Sequence, residues 1–140
     1  MSAASELMGA LHGALVDDGD VARLLGGRIH DRVPDRPVFP YLTYGGLRSR
    51  ALDGEGLVEH VVTLAAWSRE RGRGEALAVA DAVSRALSRA LAWPIALGGE
   101  HRLVSLRVVS SRSEGGRDDV ERVALSLRAV TEPLGAIIQQ

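Results

Sequence analysis

Val58-Glu59-His60-Val61-Val62-Thr63-Leu64-Ala65-Ala66-Trp67, followed by an Arg/Gly turn over residues 68–74 and an Ala/Leu-rich run to Leu91, is the stretch whose reading decides the fold. Successive side chains of an extended segment point to opposite sides, so Val62, Leu64 and Ala66 face one way while Val61, Thr63, Ala65 and Trp67 face the other. Both sets are mostly apolar, which predicts a central strand with cover on both faces. Beyond the turn, Ala76, Ala80, Val83, Leu87 and Leu91 recur at the helical period, with Glu75, Asp81, Arg85, Ser88 and Arg89 on the opposite side. An amphipathic helix of this kind can cover one face of the strand. The residues do not say what covers the other.

Upstream, Leu7, Met8, Leu11 and Leu15 form one helical stripe with Ser2 or Ser5 as its N-cap. The helix stops at Asp17-Asp18-Gly19-Asp20, where Asp20 is placed to cap a short second helix over residues 21–25, ended by Gly26-Gly27. Residues 28–33 are ambiguous, and prolines at 34, 37 and 40 hold the following backbone outside any helix. Tyr41-Leu42-Thr43-Tyr44 reads as a first strand, and the glycine-rich residues 45–56 as a long hairpin loop or contact arm. Downstream of the helix, Trp93-Pro94 and Gly98-Gly99 are breaks. Residues 102–111 and 120–131 read as a strand hairpin. In its second strand Val123, Leu125, Leu127 and Ala129 point inward and Arg122, Ser126 and Arg128 outward. A polar, glycine-rich connection over residues 113–119 is expected to project from this hairpin. The expectation is a single α+β domain over residues 1–134 in the order α-α-β-β-α-β-β, a small antiparallel or mixed sheet of about four strands with its helices on one face. A short apolar tail, 135–140, follows.

With 140 residues, 46% of them apolar, the chain has enough material for a core without disulfides or metal. A formal net charge of −1 argues against a strongly basic nucleic-acid module, and no 18-residue apolar run or positive N-terminal region suggests a membrane span or signal peptide. Every one of the 17 basic residues is arginine, as a GC-rich coding bias produces. There is no cysteine for a disulfide, a thiolate nucleophile or a thiolate metal site. His12, His30, His60 and His101 lie far apart, with no second ligand at metal spacing. The glycine doublets lack the Lys-Ser/Thr of a phosphate loop, and no serine sits in a Gly-x-Ser-x-Gly elbow. Arg69, Arg71 and Arg73 could touch phosphate, but Glu70 and Glu75 interrupt them and no aromatic residues are interleaved. No catalytic, cofactor-binding or metal-ligating residue is assigned.

Landmarks in order carry more than any motif. They are the Leu7/Leu11/Leu15 helix, the short capped helix, Gly27-Arg28-Ile29-His30, the proline connector to Pro40-Tyr41, the strand from His60 to Trp67-Ser68, the helix start Gly74-Glu75-Ala76-Leu77, and the hairpin ending Arg128-Ala129-Val130-Thr131-Glu132. This series resembles a family first catalogued as a domain of unknown function, found in the tail gene clusters of siphophages, prophages and gene transfer agents and linked to tail terminator, or tail-completion, proteins.

The resemblance implies a structural part of a phage-like particle rather than an enzyme. It implies a homo-hexameric ring, assembled in the bacterial cytoplasm, that caps the head-proximal end of the tail tube at the head-tail junction. Its partners would be itself, the tail tube protein and a head-side connector or stopper. DNA would pass through the lumen without specific binding, and neither membrane nor cofactor is involved. A closed ring of identical subunits needs two different surfaces per subunit. The candidate contact residues are Arg48, Arg50 and Asp53 in the first loop, Glu114, Arg117, Asp118 and Asp119 in the second, and Ile137 and Ile138 in the tail. Other readings are a different neck protein such as a stopper, a small ligand-binding or enzymatic α+β domain, and a DNA-contacting factor using residues 69–73.

Overall fold

The computed structural model describes residues 1–71, 73–115 and 118–137. The first helix, α1 (Ala3–Val16), is capped by Ser2, whose Oγ accepts the Ser5 backbone N–H at 3.1 Å, and it buries Leu7, Leu11 and Leu15. The second, α2 (Gly19–Leu25), starts two residues earlier than the sequence suggests. Its cap is Asp18 rather than Asp20: Asp18 Oδ2 accepts the N–H groups of Asp20 and Val21, each at 3.1 Å. Both aspartates suit a cap chemically. Asp20 instead accepts from Arg23 at 2.7 Å. Gly26, at φ 55°, ends the helix in the left-handed conformation that glycine enters without a Cβ penalty.

The remaining elements are β1 (Ile29–His30), β2 (Tyr41–Ala51), β3 (Val58–Ser68), α3 (Gly74–Ala90), β4 (Ile95–Ala96), β5 (His101–Gly115), β6 (Glu121–Pro133) and a 3-10 turn, Leu134–Ile137. They form one mixed six-stranded sheet in the order β1-β2-β3-β6-β5-β4, with β1 parallel to β2 and the other neighbours antiparallel. The α+β class and the one-sided helix layer are as expected; the count of about four strands is not. Two extra strands, β1 and β4, each contribute two residues, too few to show a period.

The first expected loop is largely strand, and the second gives residues 113–115 to β5. Gly45 and Gly46 do not end β2: they take up a bulge, the register slipping between Tyr44 and Leu47, after which Leu47–Ala51 pairs with Val58–Val62. Glycine here lets the backbones approach closely, since a Cβ on Gly45 would lie 3.2 Å from the Thr63 carbonyl oxygen. The real turn is residues 52–57, closed by the Leu52 N–H donating to the Leu57 carbonyl at 2.9 Å. At the other hairpin, β5 continues through Ser111–Gly115 because β6 supplies its ladder as far as Glu121.

α3 lays Ala76, Val79, Ala80, Val83, Ala86 and Leu87 on the sheet and, with α1 and α2, closes a core around Leu42, Val62, Leu64, Ala66, Leu103, Val123, Leu125, Leu127 and Ala129. Strand positions of one parity therefore face helices. The opposite parity faces no helix or strand among the described residues.

The β2–β3 turn is locked to the end of β6. Gly56 has φ +76°, and a Cβ there would sit 2.7 Å from Pro133 Cγ. Gly56→Ala is expected to cost about 1–3 kcal/mol through left-handed strain together with this clash, read as a lowered denaturation midpoint with an unchanged m-value. An alanine variant as stable as the parent would show that this turn is not held as described.

Candidate assembly interface

The helix-free face is built by register. Paired residues of antiparallel strands share a face, with neighbouring strands about 4.8 Å apart. The pairings line up Arg48, Val61, Arg128 and Arg107 in one row, and Tyr41, Trp67, Arg122 and Glu114 in another. Between these rows lie Thr63, Ser126 and Ser110, and Ala65, Ala124 and Arg112; Arg50 with Glu59, and Arg102 with Glu132, complete the surface. Seven arginines and three glutamates thus stand above a floor of small side chains.

This arrangement answers what covers the second face of β3. Among the described residues no second layer does. Ala65 is 3% exposed, yet what lies over the face is its own long side chains. The Arg122 guanidinium sits over the Trp67 ring at 5.2 Å, Tyr41 stacks on Trp67 with centroids 6.1 Å apart, and the Trp67 indole N–H donates to Thr43 Oγ1 at 3.0 Å. Arginine stems cover apolar surface while their heads stay in water, so a strand with two apolar faces needs a helix on only one of them.

The glutamates are spent on the arginines. Glu59 accepts from Arg50 at 2.7 Å and from Arg128 at 2.6 Å. These two hydrogen bonds pull its carboxyl down to about 2 against the upward push of partial burial. Glu132 takes Arg102 at 3.0 Å, and Glu114 takes Arg122 at 3.1 Å and Arg112 at 3.4 Å. Arg48 has no carboxylate within 4.0 Å among the described residues; nor has Arg107, whose guanidinium lies over the Trp93 ring at 5.2 Å.

Both sheet edges are open over part of their length. β1 pairs with β2 only at Leu42 and Thr43, so residues 44–51 form an unpaired edge among the described residues. β4 pairs with β5 only at Leu103 and Arg102; beyond it the Trp93 indole N–H donates to the Leu106 carbonyl at 3.1 Å, and the rest of β5 has no outer strand among the described residues. Leu47, Val108 and Val109, at 39%, 43% and 53% exposure, stand on these edges. Exposed edges of this kind are templates for another chain unless blocked, and the register slips flanking Val104 and Val109 bend β5 locally.

The sequence-derived contact residues fall in three places. Arg48, Arg50 and Glu114 belong to the helix-free face, in strands rather than in loops. Asp53 lies in the β2–β3 turn, and Asp118 and Asp119 lie in the β5–β6 turn with φ 60° and 59°. Ile137 ends the 3-10 turn, while Arg117 and Ile138 lie outside the described residues. The partners of Arg48 on this surface, Arg107 and Arg128, were missed; the signal was the alternation of arginine with Ser, Val and Ala in both later strands, visible as a face only once the register is known.

The histidines are held structurally. His60 is bonded to Ser49 and Thr131, His12 Nδ1 lies 2.7 Å from the Tyr44 hydroxyl, His30 packs against Tyr41, and His101 pairs with the buried Glu6. Burial alone would raise the Glu6 carboxyl, but hydrogen bonds from the His101 ring and from the backbone N–H groups of Glu100 and His101 outweigh it and hold it low. Arg69 lies over Phe39 at 4.8 Å. Among the described residues no cluster of three His, Cys, Asp or Glu could hold a metal ion, and no helix is long and apolar enough to cross a membrane. The depression lined by Arg48, Ser49, Arg50, Glu59 and Val61, about 430 Å³, includes Ser49, but the imidazole bonded to it, His60, is buried and turns its other nitrogen to the Thr131 hydroxyl at 2.9 Å, so no carboxylate orients it as a base.

Comparison with known proteins gives a family and a fold. The family model of the tail completion protein gp17 matches residues 9–132. A chain from the virion of a native gene transfer agent (GTA) particle superposes with a TM-score of 0.80 at 26% identity, over 94% of this chain and 98% of that one. No curated protein matches the chain.

Proposed function

The chain belongs to the tail completion protein gp17 family, a structural component of phage-like tails, and we propose that it is the tail terminator: a homo-hexameric ring that caps the head-proximal end of the tail tube, stops its growth and joins it to the head-side connector. The observation that carries this reading is the match to a virion chain over almost the full length of both partners. The molecule itself supports it. An open β2 edge, an open β5 edge and an uncovered arginine face are the dissimilar surfaces that a ring of identical subunits needs. In this reading the chain is not an enzyme, the ring assembles in the cytoplasm, and DNA passes through it to leave the particle without specific binding. Arg48, Arg50, Asp53, Glu114, Arg117, Asp118, Asp119, Ile137 and Ile138 contact neighbouring copies, the tube protein or the connector.

The test is electron microscopy of particles from cells lacking the gene. The expected result is DNA-filled heads without tails beside free tubes of irregular, excess length. Emptied heads beside free tails of normal length would replace the terminator by a neck plug, and ordinary particles would overturn the structural role.

A further inference from the structure

The charges of this chain are sorted by the sheet. Of its 17 arginines and 18 acidic residues, the helix-free face carries seven arginines and three glutamates, which leaves ten arginines against fifteen acids for everything else. A chain of net charge −1 therefore has a face with a surplus of four positive charges and a remainder with a surplus of five negative ones. On that remainder Asp18 and Asp20 are met by Arg89 and Arg23, and Asp81 by Arg85. The β2–β3 turn carries two acids that none of these arginines meets. Residues 52–57 present Asp53 and Glu55, both exposed, and contain no arginine. The β5–β6 turn, by contrast, has Arg117 beside Asp118 and Asp119.

We infer that the arginine face of the sheet receives the acidic β2–β3 turn of a second copy of this chain. The proposal rests on the ring reading above and adds to it the surface by which one subunit holds the next. Charge complementarity selects the occupant. The unneutralised arginines, Arg48 and Arg107, are exposed on the face, and the hairpin turn of the same chain that carries two exposed acids and no arginine is the matching group. A contact between different patches on identical subunits is heterologous, and it closes into a ring when the rotation permits. Duplex DNA is the poorer fit, because Glu59, Glu114 and Glu132 are interleaved with the arginines and would meet phosphates at close range.

The test is complementation of the gene-deleted cells, with tailed particles counted. Arg48→Glu with Arg107→Glu is expected to lower the yield of tailed particles at least about tenfold, because juxtaposed like charges cost an interface several kcal/mol. Asp53→Arg with Glu55→Arg should do the same, and all four changes in one chain should recover most of the loss. Recovery within one chain is what an interface with the tube, the connector or DNA would not give. Melting of each purified variant, measured in parallel, should match the parent, since these side chains are exposed; if loss of the Trp93 stack lowers it, Arg48→Glu alone takes the place of the double change. Full complementation by either pair, or no recovery in the fourfold variant while all variants fold, overturns the inference. Loss of DNA binding by the arginine variant with particle yield intact overturns it in favour of DNA. If the deletion alone leaves ordinary particles, it is the terminator reading that fails.

Discussion

Replacing Leu64 by alanine is expected to lower the stability of the chain by about 3–5 kcal/mol, a fall in melting temperature of roughly 10–15 °C for a chain of this length. Leu64 is fully buried at the centre of β3, between Tyr44 on β2 and Leu125 on β6, on the side where α3 packs. Truncation removes the transfer free energy of its methyl groups and leaves a cavity that two neighbouring strands, tied on both sides, cannot close. Thr63, the preceding residue, provides the control. It lies on the helix-free face and is half-buried, so Thr63→Ala should cost less than about 1 kcal/mol. The pair reads the layer structure directly by urea denaturation: similar costs at the two positions would mean that the two faces of β3 are equally buried. In the proposed role the difference reaches particle assembly. A loss of this size removes a large part of a typical domain's stability, so Leu64→Ala should deplete tails by depleting folded subunits, whereas Arg48→Glu should deplete them with the subunit intact.

Where the sequence was legible, burial enforced a period. β3, α3 and β6 were readable because Val62, Leu64 and Ala66, then Ala76, Ala80, Val83 and Leu87, then Val123, Leu125, Leu127 and Ala129 must all face one core. Where it was not, pairing overrode local preference. Residues 48–51 and 113–115 are polar or small and show no inward stripe, so they read as loop; ladder bonds to β3 and β6 make them strand. The contact surface shared this fate. Arg122 and Arg128 were legible as outward residues within one strand, but placing them beside Arg48 and Arg107 depends on three strand registers and on bulges at Gly45-Gly46 and near Val109. A slip of one residue would move an arginine to the opposite face. The family resemblance was available earlier because it rests on the order of landmarks, which bulges do not disturb.

Acid sensitivity between pH 6.5 and 5 should trace to one buried side chain, His60. It is 1% exposed, with Nδ1 2.7 Å from Ser49 Oγ and Nε2 2.9 Å from Thr131 Oγ1, so it joins β2, β3 and β6 beneath the helix layer. Burial pushes its pKa below the usual imidazole value, and the charge of His101 adds to the effect. The folded state therefore binds fewer protons than the unfolded chain just below the unfolded pKa of about 6.5. The stabilisation from a neutral His60 is fully present above that value and is lost as pH falls towards the depressed folded value. Glu6 and Glu59, whose carboxyls are also held low, act in a separate window: their contributions persist until pH drops below the unfolded carboxylate range of about 4.3. His60→Gln, which keeps an amide able to bond both hydroxyls, should flatten the stability profile between pH 6.5 and 5 while leaving the fall below pH 4 in place. His60→Ala should cost about 2–4 kcal/mol even at pH 8, because it opens a cavity and leaves the fully buried Thr131 hydroxyl without its partner. Thermal melts of the three proteins across this range decide the matter: an unchanged slope in His60→Gln would assign the sensitivity to another group, and a pH-independent parent would mean that the imidazole can be protonated where it stands.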